Sequence, residues 1–354
     1  MFTLLMSRSV RMSAVPAFMV FTLLTSSLNA KRGFVKTHDG AKIFYDLDGK
    51  KKKPTILFLH DIPGNHTVWK CQVNCLKKHY QTLSIDLRGF GRSTAKKGFD
   101  LKHFVSDINC VLRALEDEGV SKPTIVANGF SSLIAFAYAL KYTDGDFAPS
   151  KLVIVDGSAR FADASIGQNY AGFTQAQITD LLQLILTNYA TSPNSFVDYL
   201  IQHIVTGKCG ESPATVKLTA DLRTIYAAQD PKVVHAALSD LFEVDLRSQL
   251  TAITIPTLIV YGGNDQFLPV ASNQLLSQFF YLRSALNPNG NALLFELCNK
   301  GHAPFLTDVE RFNTEVSDFI CDRLCDCVTC DLGPCLRDGG LLMAAEPLEV
   351  IEAK

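Results

Sequence analysis

The stretch TIVANGFSSLIAFAYAL, Thr124–Leu140, decides the fold. Its first residues form a short β-branched apolar run, Thr124–Ala127, and from Phe130 to Tyr142 the apolar residues recur at helical spacing, with Leu133, Phe136, Ala137 and Leu140 on one face. A strand that passes through a tight turn into an amphipathic helix is the repeating unit of a parallel sheet. The same alternation extends outward, with strands expected at Lys42–Leu47, Thr55–Leu59, Gln81–Ile85, Lys151–Val155, Thr257–Tyr261 and Leu293–Leu297, and helices at Leu101–Glu118 and Pro304–Arg323. The continuous apolar runs TILFL, KLVIV and TLIVY suit strands covered by helices on both faces. The expected class is therefore α/β, a mostly parallel central sheet flanked by helices. From Ser158 to about Val244 the strand pattern gives way to helical stretches such as ITDLLQLILTNYA and SFVDYLIQHIV. That block reads as an inserted helical cap over the carboxyl ends of the strands, where ligands bind in open α/β sheets.

Composition bounds the rest. The chain has 354 residues, 47% hydrophobic and 19% charged, with 34 basic against 35 acidic side chains. This excludes intrinsic disorder, and the lack of a basic excess argues against a nucleic-acid partner. No internal repeat or GxGxxG fingerprint is present, and the four lysines Lys50–Lys53 read as a solvated hairpin between two strands.

Five motifs occur in a fixed order: FLHDIPGNHTVW (Phe58–Trp69), IDLRGFGRST (Ile85–Thr94), the strand–turn–helix quoted above, YGGNDQFLP (Tyr261–Pro269) and NKGHAPFLTDVERFNTEV (Asn299–Val316). Together they resemble the α/β-hydrolase family, in particular its small carboxylesterases and pimeloyl carrier-protein methyl esterases, over roughly Gly33 to Asp322. The resemblance implies a core at 33–157 and 246–322, a cap at 158–245 and a C-terminal tail at 323–354. It also implies that His302 is the base, that Asp265 orients it, and that the backbone N–H groups of Ile62 and Phe130 form an oxyanion hole. His60, Asp61 and Asn128 border that place and are candidate binding residues.

Two departures stand out. In the G-x-S-x-G elbow the nucleophile side chain is thrust above the sheet; the aligned residues here are Ala127-Asn128-Gly129-Phe130-Ser131, so glycine holds the nucleophile position. Shifting the motif to make Ser131 or Ser132 the nucleophile places Leu133 where the turn needs a small residue, which leaves Ser131 a weak substitute. The second departure is His60-Asp61 where the family usually has His-Gly. A carboxylate there opposes a developing negative charge if it points inward, and is a turn former if it points outward. No cysteine or aspartate occupies the elbow, and no His, Asp or Glu spacing suggests a metal, so neither metal nor cofactor is expected. Asp156, after the KLVIV strand, is an alternative acid; Arg88 and Arg92 read as structural, and Trp69 as the anchor of the helix after the first loop.

At the N-terminus, Arg8 and Arg11 precede an apolar run from Ala14 to Leu24, then small residues up to Ala30. The run is too short for a membrane span and reads as a secretory signal peptide at 1–30; a retained anchor and an organelle transit peptide are the alternatives. Of ten cysteines, Cys321, Cys325, Cys327, Cys330 and Cys335 cluster near the C-terminus, where disulfides, metal binding and an inert tail all remain open, and Asp338–Lys354 reads as weakly ordered. The first functional expectation is a non-hydrolytic or very weakly active hydrolase-fold protein holding a small apolar molecule or a protein partner. The alternative is a carboxylic-ester hydrolase that uses His302–Asp265 as general base. A third is an interaction protein working through its cysteine-rich tail.

Overall fold

The computed structural model describes residues 30–162, 172–191, 194–205, 213–265, 267, 292–298, 300–321 and 349–352. Nine strands form a single sheet among these residues. They are β1 (Lys31–Lys36), β2 (Lys42–Gly49), β3 (Thr55–Leu59), β4 (Gln81–Ile85), β5 (Thr124–Asn128), β6 (Lys151–Val155), β7 (Thr257–Gly262), β8 (Ala292–Leu297) and β9 (Glu349–Glu352). Their spatial order is β8-β7-β6-β5-β3-β4-β2-β1-β9. From β4 to β8 all neighbours run parallel, whereas β2 lies antiparallel to both β1 and β4. Every residue of TILFL and TLIVYG is buried, as strands covered on both faces must be.

Chirality places the helices. The step from β3 to β4 moves across the sheet in one direction, and the later steps from β4 to β5 and β5 to β6 move in the other. Because such crossovers are right-handed, α1 (Lys70–Leu76) lies on one face, and α2 (Leu101–Ala114) and α3 (Ser131–Lys141) on the opposite one. The C-terminal Val309–Ile320 helix packs against α1, while α2 packs against α3. Four helices, α4 (Gln175–Thr187), α5 (Phe196–Val205), α6 (Pro213–Ala227) and α7 (Pro231–Glu243), fill the expected insertion. Beyond β8, α8 (Pro304–Thr307) and α9 (Val309–Ile320) replace the single helix expected from Pro304, with a break at Asp308.

Three expectations need correction. Lys50–Lys53 is exposed but is not a hairpin, because β4 lies between β2 and β3 in the sheet. Two strands were missed, β1 and β9, both short and at one edge. The second falls in the segment read as a weakly ordered tail, where Glu349–Glu352 pairs in parallel with Gly33–Lys36 and Glu352 forms an ion pair with Lys36 at 2.9 Å. Residues 1–29 and 322–348, which hold the signal-peptide reading and Cys325, Cys327, Cys330 and Cys335, lie outside the described residues. Cys321 is a free thiol whose sulfur lies 2.6 Å from the Tyr80 hydroxyl.

Candidate active site

The carboxyl ends of β3, β5, β6, β7 and β8 converge, and each leads into a residue of one buried cluster. After β5 the chain turns at Gly129, which has φ +57° and whose N–H donates to Val155 O at 3.0 Å. This is the left-handed region, free for glycine and costing roughly 1–2 kcal/mol for a residue with a Cβ. The turn after β5 thus has a glycine at the position its backbone favours.

After β3, His60 braces the loop. Its ring is fully buried, with Nδ1 2.8 Å from Asp61 O and Nε2 accepting the Leu87 N–H at 2.9 Å. Since Nε2 accepts, Nδ1 carries the proton and donates to the carbonyl; burial pushes the imidazole below its usual pKa and keeps it neutral. The Ser131 hydroxyl donates to the carbonyl of the same His60, and Ser132 donates to Ser158 O at 2.9 Å. Asn128 Nδ2 donates to Val155 O at 3.0 Å. His60 and Asn128 therefore hold backbone rather than face a ligand. Ser131, the substitute nucleophile of the sequence reading, is committed to the loop behind the elbow.

Asp61 points inward. Its Oδ1 accepts both the Ile62 N–H and the Phe130 N–H, each at 2.7 Å. The two donors expected to form an oxyanion hole do converge, but on a carboxylate of the chain itself. An ideal Cβ built on Gly129 has the three carboxyl atoms of Asp61 as its nearest neighbours, all in overlap. The carboxylate thus occupies the space that an elbow side chain would take. Its Oδ2 lies 3.5 Å from Nε2 of His302.

His302 follows β8 and Asp265 follows β7. Nδ1 of the imidazole is 2.8 Å from Asp265 Oδ2, and Asp265 Oδ1 accepts the Phe267 N–H at 2.8 Å, so the acid is fixed by backbone and in turn fixes the ring. The ring is 2% exposed, and its Nε2 makes no hydrogen bond. Burial alone would depress the imidazole, but the charge and hydrogen bond of Asp265, with the contact to Asp61, outweigh it and raise its pKa well above the ordinary value. At neutral pH the ring is an imidazolium between two carboxylates.

Behind this pair stands Asp156, fully buried with φ +43°, its Oδ1 accepting the Gly262 N–H at 2.9 Å. Burial, then the charge of Asp265, pushes its pKa well above the usual carboxylate range. Among the described residues, Asp156, Asp265 and His302 are the one group whose ligand atoms come within 4.8 Å of one another. Asp265 bonds His302, while the second oxygen of Asp156 has no hydrogen-bond partner, so the three could together hold a cation, a grouping that the sequence spacing did not suggest.

An aromatic shell covers the site. Phe267 lies 4.7 Å from the His302 ring, Phe130 stacks on Phe161 at 4.0 Å, and Phe173 and Phe242 close the group at 5.0 Å from Phe267 and 5.2 Å from Phe130. Phe161, Phe173 and Phe242 lie in the segment 158–245 between β6 and β7. On the far side Trp69 stacks on Phe305 at 4.1 Å, which ties the loop after β3 to the segment after His302. Arg88 is buried in a two-pronged pair with Asp107 and a contact to Asp39, and Arg92 covers the Phe44 ring at 4.6 Å; both are structural.

A family model for the alpha/beta hydrolase fold matches residues 54–309. The chain belongs to the α/β-hydrolase family. Among its relatives is the AB hydrolase superfamily protein YisY of Bacillus subtilis, 25% identical over 81% of this α/β-hydrolase and 98% of that protein. Epoxide hydrolase 3 of Xenopus tropicalis is 24% identical over 76% of this chain and 74% of its own, and a pimeloyl-[acyl-carrier protein] methyl ester esterase of Vibrio atlanticus is 24% identical over 75% and 94%. The solved esterase EaEST from Exiguobacterium antarcticum superposes with a TM-score of 0.69 at 22% identity, covering 82% of this hydrolase-fold chain and 99% of its own.

Proposed function

We propose that the protein is a hydrolase of small apolar substrates in which His302, oriented by Asp265, moves the protons. The observation that carries this reading is the buried imidazole held by Asp265 at 2.8 Å, with its other nitrogen 3.5 Å from the Asp61 carboxylate on which two backbone N–H groups converge. A positioned acid–base group of this kind contributes about 10²–10⁴-fold. The aromatic shell favours an apolar substrate, and the absence of basic excess disfavours a nucleic acid. His302→Ala should reduce turnover on a panel of short-chain nitrophenyl esters and aryl epoxides by about 10²-fold or more; an unchanged rate on every substrate turned over would sink the reading.

The second reading, a non-hydrolytic ligand-binding protein, is favoured by Gly129 and by the Asp61 carboxylate on both N–H donors. It expects calorimetric binding of an apolar aromatic with no turnover on the same panel. We further propose that residues 1–30 direct export. Among the described residues no helix is long and apolar enough to cross a membrane. Sequencing the N-terminus of the mature protein tests export, with cleavage near Ala30 as the expected result.

A further inference from the structure

We propose that Asp156, Asp265 and His302 form a binding site for a divalent transition-metal cation of the zinc type, and that filling it stops proton transfer by His302; the second half rests on the hydrolase reading. Three neighbouring parallel strands deliver one ligand each, Asp156 after β6, Asp265 after β7 and His302 after β8. One donor atom from each lies within 4.8 Å of the other two. Both carboxylates are aimed by backbone, Asp156 through Oδ1 on the Gly262 N–H at 2.9 Å and Asp265 through Oδ1 on the Phe267 N–H at 2.8 Å. Outer bonds of this kind orient the ligands of metal centres. Asp265 commits Oδ2 to Nδ1 of His302, whereas Oδ2 of Asp156 is buried with no hydrogen-bond partner. A buried acceptor left unsatisfied is destabilising, and Asp156 is held at φ +43°, where a side chain strains the backbone. Two carboxylates this close also repel each other. Proton transfer by His302 has no use for Asp156; a cation between the three donors satisfies its free oxygen and turns the repulsion into attraction.

The donor set selects the ion. Two carboxylate oxygens and one imidazole nitrogen suit zinc, which binds them tetrahedrally at about 2.0–2.2 Å and so spaces its ligand atoms about 3.4 Å apart. The pair Asp265 Oδ2 and His302 Nδ1, now at 2.8 Å, has to open by only about 0.6 Å to reach that spacing. Calcium wants six to eight oxygens and magnesium keeps several waters. Three donors, one of them nitrogen, beside the rings of Phe267 and Phe130 offer neither. The nitrogen beside Asp265 is Nδ1, and its lone pair is the one the ion takes, its proton leaving to solvent. The remaining proton of the imidazole then sits on Nε2, the nitrogen 3.5 Å from Asp61 Oδ2. Nε2 can no longer accept a proton, and Asp265 is turned from the ring to the metal. The base is switched off for as long as the ion stays.

The test compares full-length wild type with Asp156→Asn in equilibrium dialysis against ZnCl₂. Cysteines also take zinc, so the difference between the two proteins reports this site. The expected result is one more equivalent of zinc on the wild type, with the circular dichroism of the two proteins alike. In the wild type alone, histidine NMR should show the Nδ1 resonance of His302 move on adding ZnCl₂, a readout that needs no variant. On any substrate of the panel that is turned over, saturating ZnCl₂ should lower the wild-type rate by about 10²-fold or more, EDTA should restore it, and Asp156→Asn should stay at its own zinc-free rate. Equal zinc stoichiometry in the two proteins, or an unmoved His302 resonance, would overturn the site. The extra equivalent bound without slowing turnover would overturn its inhibitory role. The extra equivalent on a protein that turns over nothing supports the site and removes the hydrolase reading, which tells the two failures apart.

Discussion

Replacing Gly129 by serine looks like the simplest repair of the elbow, and the structure says that it fails alone. The new Cβ would lie roughly 1 Å inside the 3.5–4.0 Å at which carbon atoms pack, against all three carboxyl atoms of Asp61. The carboxylate must leave, and with it go two hydrogen bonds of 2.7 Å, each worth about 1.5–3 kcal/mol when one partner is charged. The side chain at φ +57° adds about 1–2 kcal/mol. Allowing for partial repayment by solvent, Gly129→Ser should cost about 3–6 kcal/mol. In an Asp61→Gly background the overlap and the two hydrogen bonds are already absent, so adding Gly129→Ser costs only the backbone term, and the two substitutions should couple favourably by about 2–3 kcal/mol. Urea unfolding of the wild type, both single variants and the double variant measures this coupling. The double variant also frees both N–H groups beneath His302, so a serine-directed phosphonate should label it and not Gly129→Ser alone. Additive stabilities, or labelling of the single variant, would refute the reasoning.

Asp61→Asn should lower the pKa of His302, because it removes one of the carboxylates that favour its charged form; Asp265 and Asp156 are the other titratable groups facing the ring. Histidine NMR across pH reads this, and an unshifted resonance would contradict the contact. A raised imidazole contributes stability below its unfolded value of about 6.5 that is lost as pH rises through its folded value, so Asp61→Asn should narrow that loss to lower pH. Asp156→Asn should stabilise the protein increasingly as pH rises above the unfolded carboxylate value of 3.8, since the wild type pays to keep a proton on a buried acid; urea midpoints at pH 5 and pH 8 should differ in that sense. Trp69→Ala should cost about 3–5 kcal/mol by removing the stack on Phe305 and the Phe58 contact at 5.2 Å, read by thermal unfolding.

The central strands were legible because buried parallel strands must be continuous apolar runs, and Thr55–Leu59, Gln81–Ile85 and Lys151–Val155 begin and end in the structure where the sequence puts them. The edge was not. β1 reads KRGFVK and β9 only EVIE, and neither carries enough apolar pattern to separate a strand from a polar terminus. At the site, the family resemblance paired Asp265 with His302, and the structure brings the two to 2.8 Å. The two anomalies, Asp61 for glycine in the first loop and Gly129 at the elbow, were visible separately, but their relation is spatial: one carboxylate fills the volume that the other position vacates. The side chains of His60 and Asn128 were misread because proximity to the site in sequence does not say which way a polar group turns, and here both turn to backbone carbonyls.

The pairing of β1 with β9 joins residues 316 apart, as in the Lys36–Glu352 ion pair. Until β9 pairs, β1 is the open edge of the sheet. Lys36 in β1 takes its partner Glu352 from β9, so without β9 its charge faces that edge and discourages another chain from adding to it. β9 thus seals that edge, and a variant lacking Glu349–Glu352 would present one flank of the sheet to neighbouring chains.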